Sequence, residues 1–469
     1  MNYVGCIAII IAAVVALYRR IEVRLVLITA AAALFAVAGR LPDVVINMAT
    51  ELSNAKTVIP ICASMGFAYV LRLTECDRHL VQLLLRPLDQ PFARALLIPG
   101  SIAAGYIVNM AIVSQSGAAA IVGSIAVPLL LRKGMSRATV GSLLLLGTSM
   151  GGELFNPGAV ETVTLSKLTN ISPVTLAQRS IPMNLLACAT ALLVYWRLAV
   201  LWERRCQTTE APVDTQVRGE SAVEGMDSLE DARNDRAEQA EPGAADALPF
   251  RVNPLKASVP FIPLVLLFSA ARLPMLRPFH DHVTILVAML IGSIAAACSS
   301  PKQAGKLASA FFDGTGFAYA HIISVTVTAT LFAQGIIANG LVQKIVGGLA
   351  GRSGPALLAS LTLPWTLAAL SGSGAGSATS MMSALVPGAV HMRLDPGQMG
   401  ILTAMGSHFG RTMSPAAAVA ILCATLVVPS GTPTRELGAM TLTLTKRVAP
   451  ALIAGGIVLY IAALLGLAR

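Results

Sequence analysis

Charge is what this sequence has least of. Only 12% of its 469 residues are charged while 55% are hydrophobic, and the mean hydropathy is +0.72. That excludes an ordinary soluble globular domain. The seven cysteines form no Cys-x-x-Cys pair, which gives no disulfide framework and no thiolate metal site. There is no His-Glu-x-x-His, and nucleophilic catalysis needs an adjacent base that nothing here supplies, which argues against an intramembrane enzyme. The start "MNYVGCIAIII" lacks a basic leader and a clear small-residue cleavage site, so it reads as a first helix rather than a cleaved signal.

What the chain has instead is long apolar runs. "GCIAIIIAAVVALY" and "LIAGGIVLYIAALLGLA" approach, with their flanks, the roughly 20 residues of a spanning helix. Spans are expected near 2–18, 24–41, 58–74, 138–162 and 181–202, then near 258–275, 283–300, 316–340, 397–427 and 448–468, with composite apolar blocks at 93–131 and 355–392. The net charge of +10 reads as basic loops flanking spans, not as a nucleic-acid footprint. Residues 203–252 are polar, acidic and punctuated by Pro and Gly, too poor in large apolar side chains to fold. They read as a disordered cytoplasmic linker between a first transmembrane repeat, 1–202, and a second, 253–469.

The halves share motifs. "VSQSGAAAIVGSIAVP" (113–128) and "LSGSGAGSATSMMSALVP" (370–387) each carry Ser-x-Ser-Gly-Ala and a later Val-Pro. "SMGGELFNPGA" (149–159) and "SHFGRTMSPAA" (407–417) both read Ser-x-x-Gly-charge-x-x-(Asn/Ser)-Pro-x-Ala. Ser116 lies 41 residues before Pro157, and Ser373 lies 42 before Pro415. One unit has been used twice. If each composite block is a re-entrant hairpin, a unit holds five spans, an odd count, and the second copy is inverted. Arg19, Arg24, Arg132, Lys133, Arg204 and Arg205 then fall on one, cytoplasmic side with the linker and first hairpin, against a leaner set such as Arg40, Lys56, Lys167 and Lys344. The expected fold is an all-α polytopic membrane protein of two inverted repeats, about ten transmembrane helices and two re-entrant hairpins.

A Ser/Gly tip or an Asn-Pro break leaves backbone groups unpaired at membrane depth, tolerated only where protein or a water-filled cavity satisfies them. Inverted repeats with such breaks are the architecture of secondary transporters, and helix N-termini meeting near the midplane suit an anion. The expected substrate-binding set is Ser114, Ser116 and Gly117 at one tip; Ser371, Ser373 and Gly374 at the other; Asn156 and Pro157 in the first break; and Gly410, Arg411, Thr412, Ser414 and Pro415 in the second. Arg411, a fixed charge in an apolar run, is suited to take a carboxylate bidentately. Structural pairing with an acid is the other reading. Glu153 holds in the first motif the place Arg411 holds in the second, and reads as a proton carrier or as the partner of Arg411. His408 is the second expected coupling residue, although a lone His is more often packed. Asn109, Gln334 and Asn339 are expected in helix–helix hydrogen bonds.

The Ser-x-Ser-Gly tips, "LFAQGIIANGLVQKI" (331–345) and "GRTMSPAAAVAI" (410–421) resemble the DcuC-type anaerobic C4-dicarboxylate carriers of the ion transporter superfamily. The resemblance spans nearly all of the chain outside 203–252. Glu153 departs from it, standing where an apolar residue is expected. The resemblance implies a bacterial inner-membrane carrier of succinate-, fumarate- or malate-like anions with an elevator motion. Its partners would be a small carboxylate, a coupling proton or sodium ion and the lipid bilayer; another carboxylate or an amino acid is the alternative substrate, and a homodimer is left open. No cofactor, metal, nucleic acid or enzymatic activity is expected.

Overall fold

The computed structural model describes residues 3–19, 21–90, 95–207, 251–272, 275 and 284–467. Among them every regular element is helical. Nearly all of the expected linker, 208–250, lies outside the described residues.

The first half runs α1 (Tyr3–Tyr18), α2 (Val23–Val37), α3 (Asp43–Leu52), α4 (Ala55–Leu73) and α5 (Cys76–Leu85). A helix pair follows, α6 (Leu97–Ala111) and α7 (Gln115–Arg132), then an interrupted helix, α8 (Arg137–Ser149) and α9 (Val160–Thr169), and the long α10 (Pro173–Gln207). The second half opens with α11 (Pro254–Ser258), α12 (Ile262–Arg272) and α13 (Ile285–Ser299). The order then recurs. α14 (Leu307–Phe317) continues through a π-helical turn into α15 (Ser324–Ala338), followed by the short α16 (Leu341–Leu349). The pair α17 (Ser353–Ser371) and α18 (Gly374–Leu385), the interrupted α19 (Pro396–Thr412) and α20 (Ala418–Val427), and the long α21 (Thr434–Leu464) complete it. Among the described residues, seven helical runs are long and apolar enough to cross a membrane, and six shorter helices are apolar.

Three short helices stand where no element was expected: α3, α5 and α16. Each mixes polar with apolar residues, so a search for unbroken apolar runs passes over it. α5 and α16 occupy the same place in their halves, and each begins after a left-handed residue, Glu75 at φ 57° and Gly340 at φ 73°. α10 and α21 also start earlier than expected, because their first turns are polar.

The two halves interlock. Within each, the first arm of the pair packs on the first part of the interrupted helix: α6 on α8, α17 on α19. Between them the contacts cross, α7 on α20 and α18 on α9. Glycines allow the close approach. An added Cβ on Gly410 would stand 2.1 Å from the carbonyl oxygen of Trp365, and one on Gly406 2.2 Å from that of Leu361. In the first half, a Cβ on Gly147 would meet the Ile102 carbonyl oxygen at 2.8 Å. Gly410, expected at the ligand, is thus a helix-packing residue, the usual use of small side chains between membrane helices. Around this unit, α4 packs on α13, α14 and α9, α15 on α2 and α18, and α10 on α21.

Candidate functional site

Each helix pair turns at a serine. Ser114 caps α7, its Oγ accepting from the Gly117 N–H at 3.1 Å, and Ser373 caps α18, its Oγ accepting from the Gly376 N–H at 3.2 Å. Such a cap satisfies one of the four donors a helix start leaves open. By geometry Ser114 answers Ser373, a register two residues away from the motif match of Ser116 with Ser373. Ser116 lies inside the first turn of α7. Ser371 braces the second tip by accepting from the Ser373 N–H at 3.2 Å.

The two breaks agree residue for residue. Asn156 N–H donates to the Glu153 carbonyl at 2.9 Å, and Ser414 N–H to the Arg411 carbonyl at 3.0 Å. Asn156 Oδ1 accepts from the Gly158 N–H at 2.9 Å, and Ser414 Oγ from the Ala416 N–H at 3.2 Å. Pro157 and Pro415 follow and keep each helix from continuing. The side-chain oxygens of Asn156 and Ser414, expected at a substrate, thus pair with their own loops.

The tips and breaks meet at one buried cluster. Arg411 Nη2 donates to Glu153 Oε1 at 2.9 Å and lies 3.0 Å from His408 Nδ1. Gln115, the first residue of α7, donates through Nε2 to Glu153 Oε1 at 2.9 Å and lies 3.0 Å from the same His408 nitrogen. Nδ1 also lies 3.3 Å from Glu153 Oε1, but an amide NH2 and a guanidinium can only donate, and two such donors against one carboxylate oxygen favour an accepting Nδ1 with the ring proton on Nε2. That Nε2 has no hydrogen-bond partner among the described residues and faces Glu161 Oε1 at 3.6 Å. Ser149 Oγ donates to Gln115 Oε1 at 2.8 Å and touches Thr412 Oγ1 at 2.8 Å. Asn109 ties the first tip to the first break, accepting from the Glu153 N–H at 3.1 Å and donating to the Ile112 carbonyl at 3.4 Å. The second tip lies against the guanidinium, since a Cβ on Gly374 would stand 2.7 Å from Arg411 Cζ and Nε.

Of the expected residues, Glu153, His408, Arg411, Thr412 and Gly374 therefore come together. Gln115, Ser149 and Glu161 join them unannounced. Asn109, expected only in a helix–helix bond, is part of the frame, while Asn339 does bridge helices, donating to the Leu34 carbonyl at 2.8 Å. Ligand atoms of Glu153, Glu161 and His408 lie within 4.8 Å of one another. A dication there would face the Arg411 guanidinium across the shared Glu153 oxygen, so the set does not suit a divalent metal ion.

Residues 48–465 match the C4-dicarboxylate anaerobic carrier family. An uncharacterized transporter of Haemophilus influenzae is 30% identical over 183 residues, 38% of this chain and 65% of the relative. The anaerobic C4-dicarboxylate transporter DcuC of Escherichia coli (strain K12) is 28% identical over 178 residues, 36% of this chain and 37% of the relative. The chain thus covers less than two thirds of either relative's length. Among solved structures, the crystal structure of the Alcanivorax borkumensis YdaH transporter superposes with a TM-score of 0.61 at 14% identity, over 91% of this chain and 90% of that one. At that identity the likeness is one of fold.

Proposed function

The chain belongs to the C4-dicarboxylate anaerobic carrier family, and from that premise we propose that it is a proton-coupled secondary carrier of succinate-, fumarate- or malate-like anions in a bacterial inner membrane. The observation that carries this reading is the Glu153–Arg411 ion pair, 2.9 Å long, at the meeting of both tips and both breaks. Arg411 offers the planar fork that a carboxylate fits. A substrate carboxylate can take that fork only by displacing Glu153, and Glu153 lets go when it gains a proton.

Charge counting supports the coupling. With His408 neutral, the carboxylates of Glu153 and Glu161 outnumber the Arg411 guanidinium by one. One proton makes the buried cluster neutral. A second leaves it cationic and ready for an anion. Uncompensated charge in a low-dielectric interior is costly, so anion and proton enter more cheaply together than apart. For the motion, α6–α9 and α17–α20, which pack crosswise, would move as one unit against the surrounding helices, with 1–202 and 253–469 as inverted repeats joined by 203–252.

A zwitterionic amino acid is the second reading, because Glu153 and Arg411 present both signs side by side. Uptake into proteoliposomes of labelled mono- and dicarboxylates and amino acids, with and without an imposed pH gradient, separates the two. Arg411→Ala should abolish dicarboxylate uptake and Arg411→Lys should weaken it. Wild-type uptake by Arg411→Ala would overturn the assignment.

A further inference from the structure

A cavity of ≈ 240 Å³ opens between α3, α4, α9, α15 and the end of α18, with Glu51, Thr57, Thr164, Lys167, Gln334 and Ser383 in its wall. Lys167 is ion-paired there with Glu51. Three of the lining oxygens, Thr57 Oγ1, Thr164 Oγ1 and Gln334 Oε1, have no hydrogen-bond partner among the described residues. Thr57 is 5% and Thr164 4% exposed. A buried hydroxyl left unpaired costs more than the alkyl group that would replace it. Two hydroxyls and one amide oxygen beside this cavity are thus left unpaired, each of them itself buried.

The unpaired hydroxyls continue toward the cluster. Ser64, two turns along α4 from Thr57, has a buried Oγ without a partner, and that oxygen stands 2.0 Å from where a Cβ on Gly158 of the first break would lie. Thr379 Oγ1, one turn before Ser383 on α18, is likewise unpaired. On α9, Glu161 of the cluster precedes Thr164 by about one turn and Thr164 precedes Lys167 by about another, so the helix steps around its axis from one site to the other.

We propose that this cavity is a second anion site, a vestibule in which a small dicarboxylate is held by Lys167 and the surrounding hydroxyls before it reaches Arg411. The proposal rests on the carrier reading for its direction of travel. Its chemistry repeats that of the main site: a cation held by a glutamate, Lys167 by Glu51 as Arg411 by Glu153, until a carboxylate takes the glutamate's place. Lys167 supplies a compact charge and the threonine hydroxyls can turn to donate, which suits a carboxylate, while Leu168, Ile337 and Pro387 line the rest of the wall and suit a short carbon chain.

Thiol labelling of the detergent-purified full chain tests this without requiring transport. Ser383→Cys, with Thr330→Cys as a second position in the same wall, is treated with the small anionic reagent 2-sulfonatoethyl methanethiosulfonate, with the parent chain as background. The added thiols should react, and succinate should slow them. That protection should persist in Arg411→Ala, which removes the other site, and should need about tenfold more succinate in Lys167→Gln, the worth of one charge-assisted hydrogen bond. Failure of both thiols to react, or reaction that succinate does not slow, overturns the vestibule. Protected thiols in a protein that takes up no dicarboxylate would uphold the vestibule and sink the carrier reading.

Discussion

Adding one methyl group at Gly374 should cost the protein substrate affinity and leave its fold intact. The new Cβ would stand 2.7 Å from Arg411 Cζ, 2.7 Å from Nε and 3.2 Å from Cδ. Carbon atoms ordinarily settle at about 3.5–4.0 Å, so the guanidinium must withdraw by about 1 Å. It can. The obstruction is the end of a long side chain, 17% exposed, and its Nε has no hydrogen-bond partner among the described residues to hold it. What it gives up is the alignment of Nη2, 2.9 Å from Glu153 and 3.0 Å from His408. A hydrogen bond to a charged group contributes about 1.5–3 kcal/mol, so losing one such contact to a substrate carboxylate weakens affinity by about 10- to 100-fold. The assay is the concentration dependence of dicarboxylate uptake in proteoliposomes, beside membrane yield and size-exclusion profile. A Gly374→Ala protein that is made normally and takes up substrate with wild-type half-saturation would refute the placement of the second tip against the binding guanidinium.

Gly410→Ala should do the opposite, because its Cβ would meet the Trp365 backbone at 2.1 Å and backbone cannot step aside. A loss of about 1–3 kcal/mol or more is expected, read as a lower unfolding temperature and poor membrane yield. Glu161→Gln should uncouple uptake from protons, so that acidifying the outer medium no longer stimulates it while some exchange persists; undiminished stimulation would remove Glu161 from the coupling path. Deleting most of 207–248 should leave uptake within about twofold of wild type provided the remaining chain spans its gap, and a well-inserted but inactive deletion would show that the segment has work of its own.

The helix pairs and breaks were legible in the sequence because each needs a residue type that little else explains. Serine and glycine at the tips and proline after a short polar residue in the breaks are what a membrane chain uses to interrupt itself, and the duplication doubled the signal. Gln115 was not legible. It sits between the two serines of "SQSG", and only the turn of α7 decides which of those three side chains faces inward. The structure caps with Ser114 and turns Gln115 onto Glu153. Glu161 was missed for a related reason. It follows Glu153 by eight residues, a spacing that on a continuous helix would set the two carboxylates about 12 Å apart along the axis, and the two come together only because the break at Asn156 and Pro157 resets the direction of the chain. Lys167 read as a loop charge and Glu51 drew no reading, because their pairing joins residues 116 positions apart, which no local pattern carries.

Glu153 and Arg411 occupy the same place in their motifs, and they touch. If, as proposed, the halves are inverted repeats, two equivalent residues in contact lie close to the axis that relates them, where every residue meets its own copy. Identical repeats would set Glu against Glu or Arg against Arg there, and like charges buried together are costly. On that reading, opposite signs at this pair of positions relieve the repulsion that a charge at the axis of a duplicated unit would meet. The pair should tolerate exchange better than either half tolerates change. Glu153→Arg alone would bury two guanidiniums side by side, and breaking a buried pair in this way costs about 3–5 kcal/mol, so little folded protein is expected in the membrane. Adding Arg411→Glu to it should restore the yield, since Gln115 can turn its amide to offer Oε1 to the new guanidinium. Uptake should return only in part, because Gly374 would then lie against a carboxylate. The measurement is folded yield and unfolding temperature of the two single variants and the double. A double variant no better folded than Glu153→Arg would mean that the site reads these residues individually and that the axis argument is wrong.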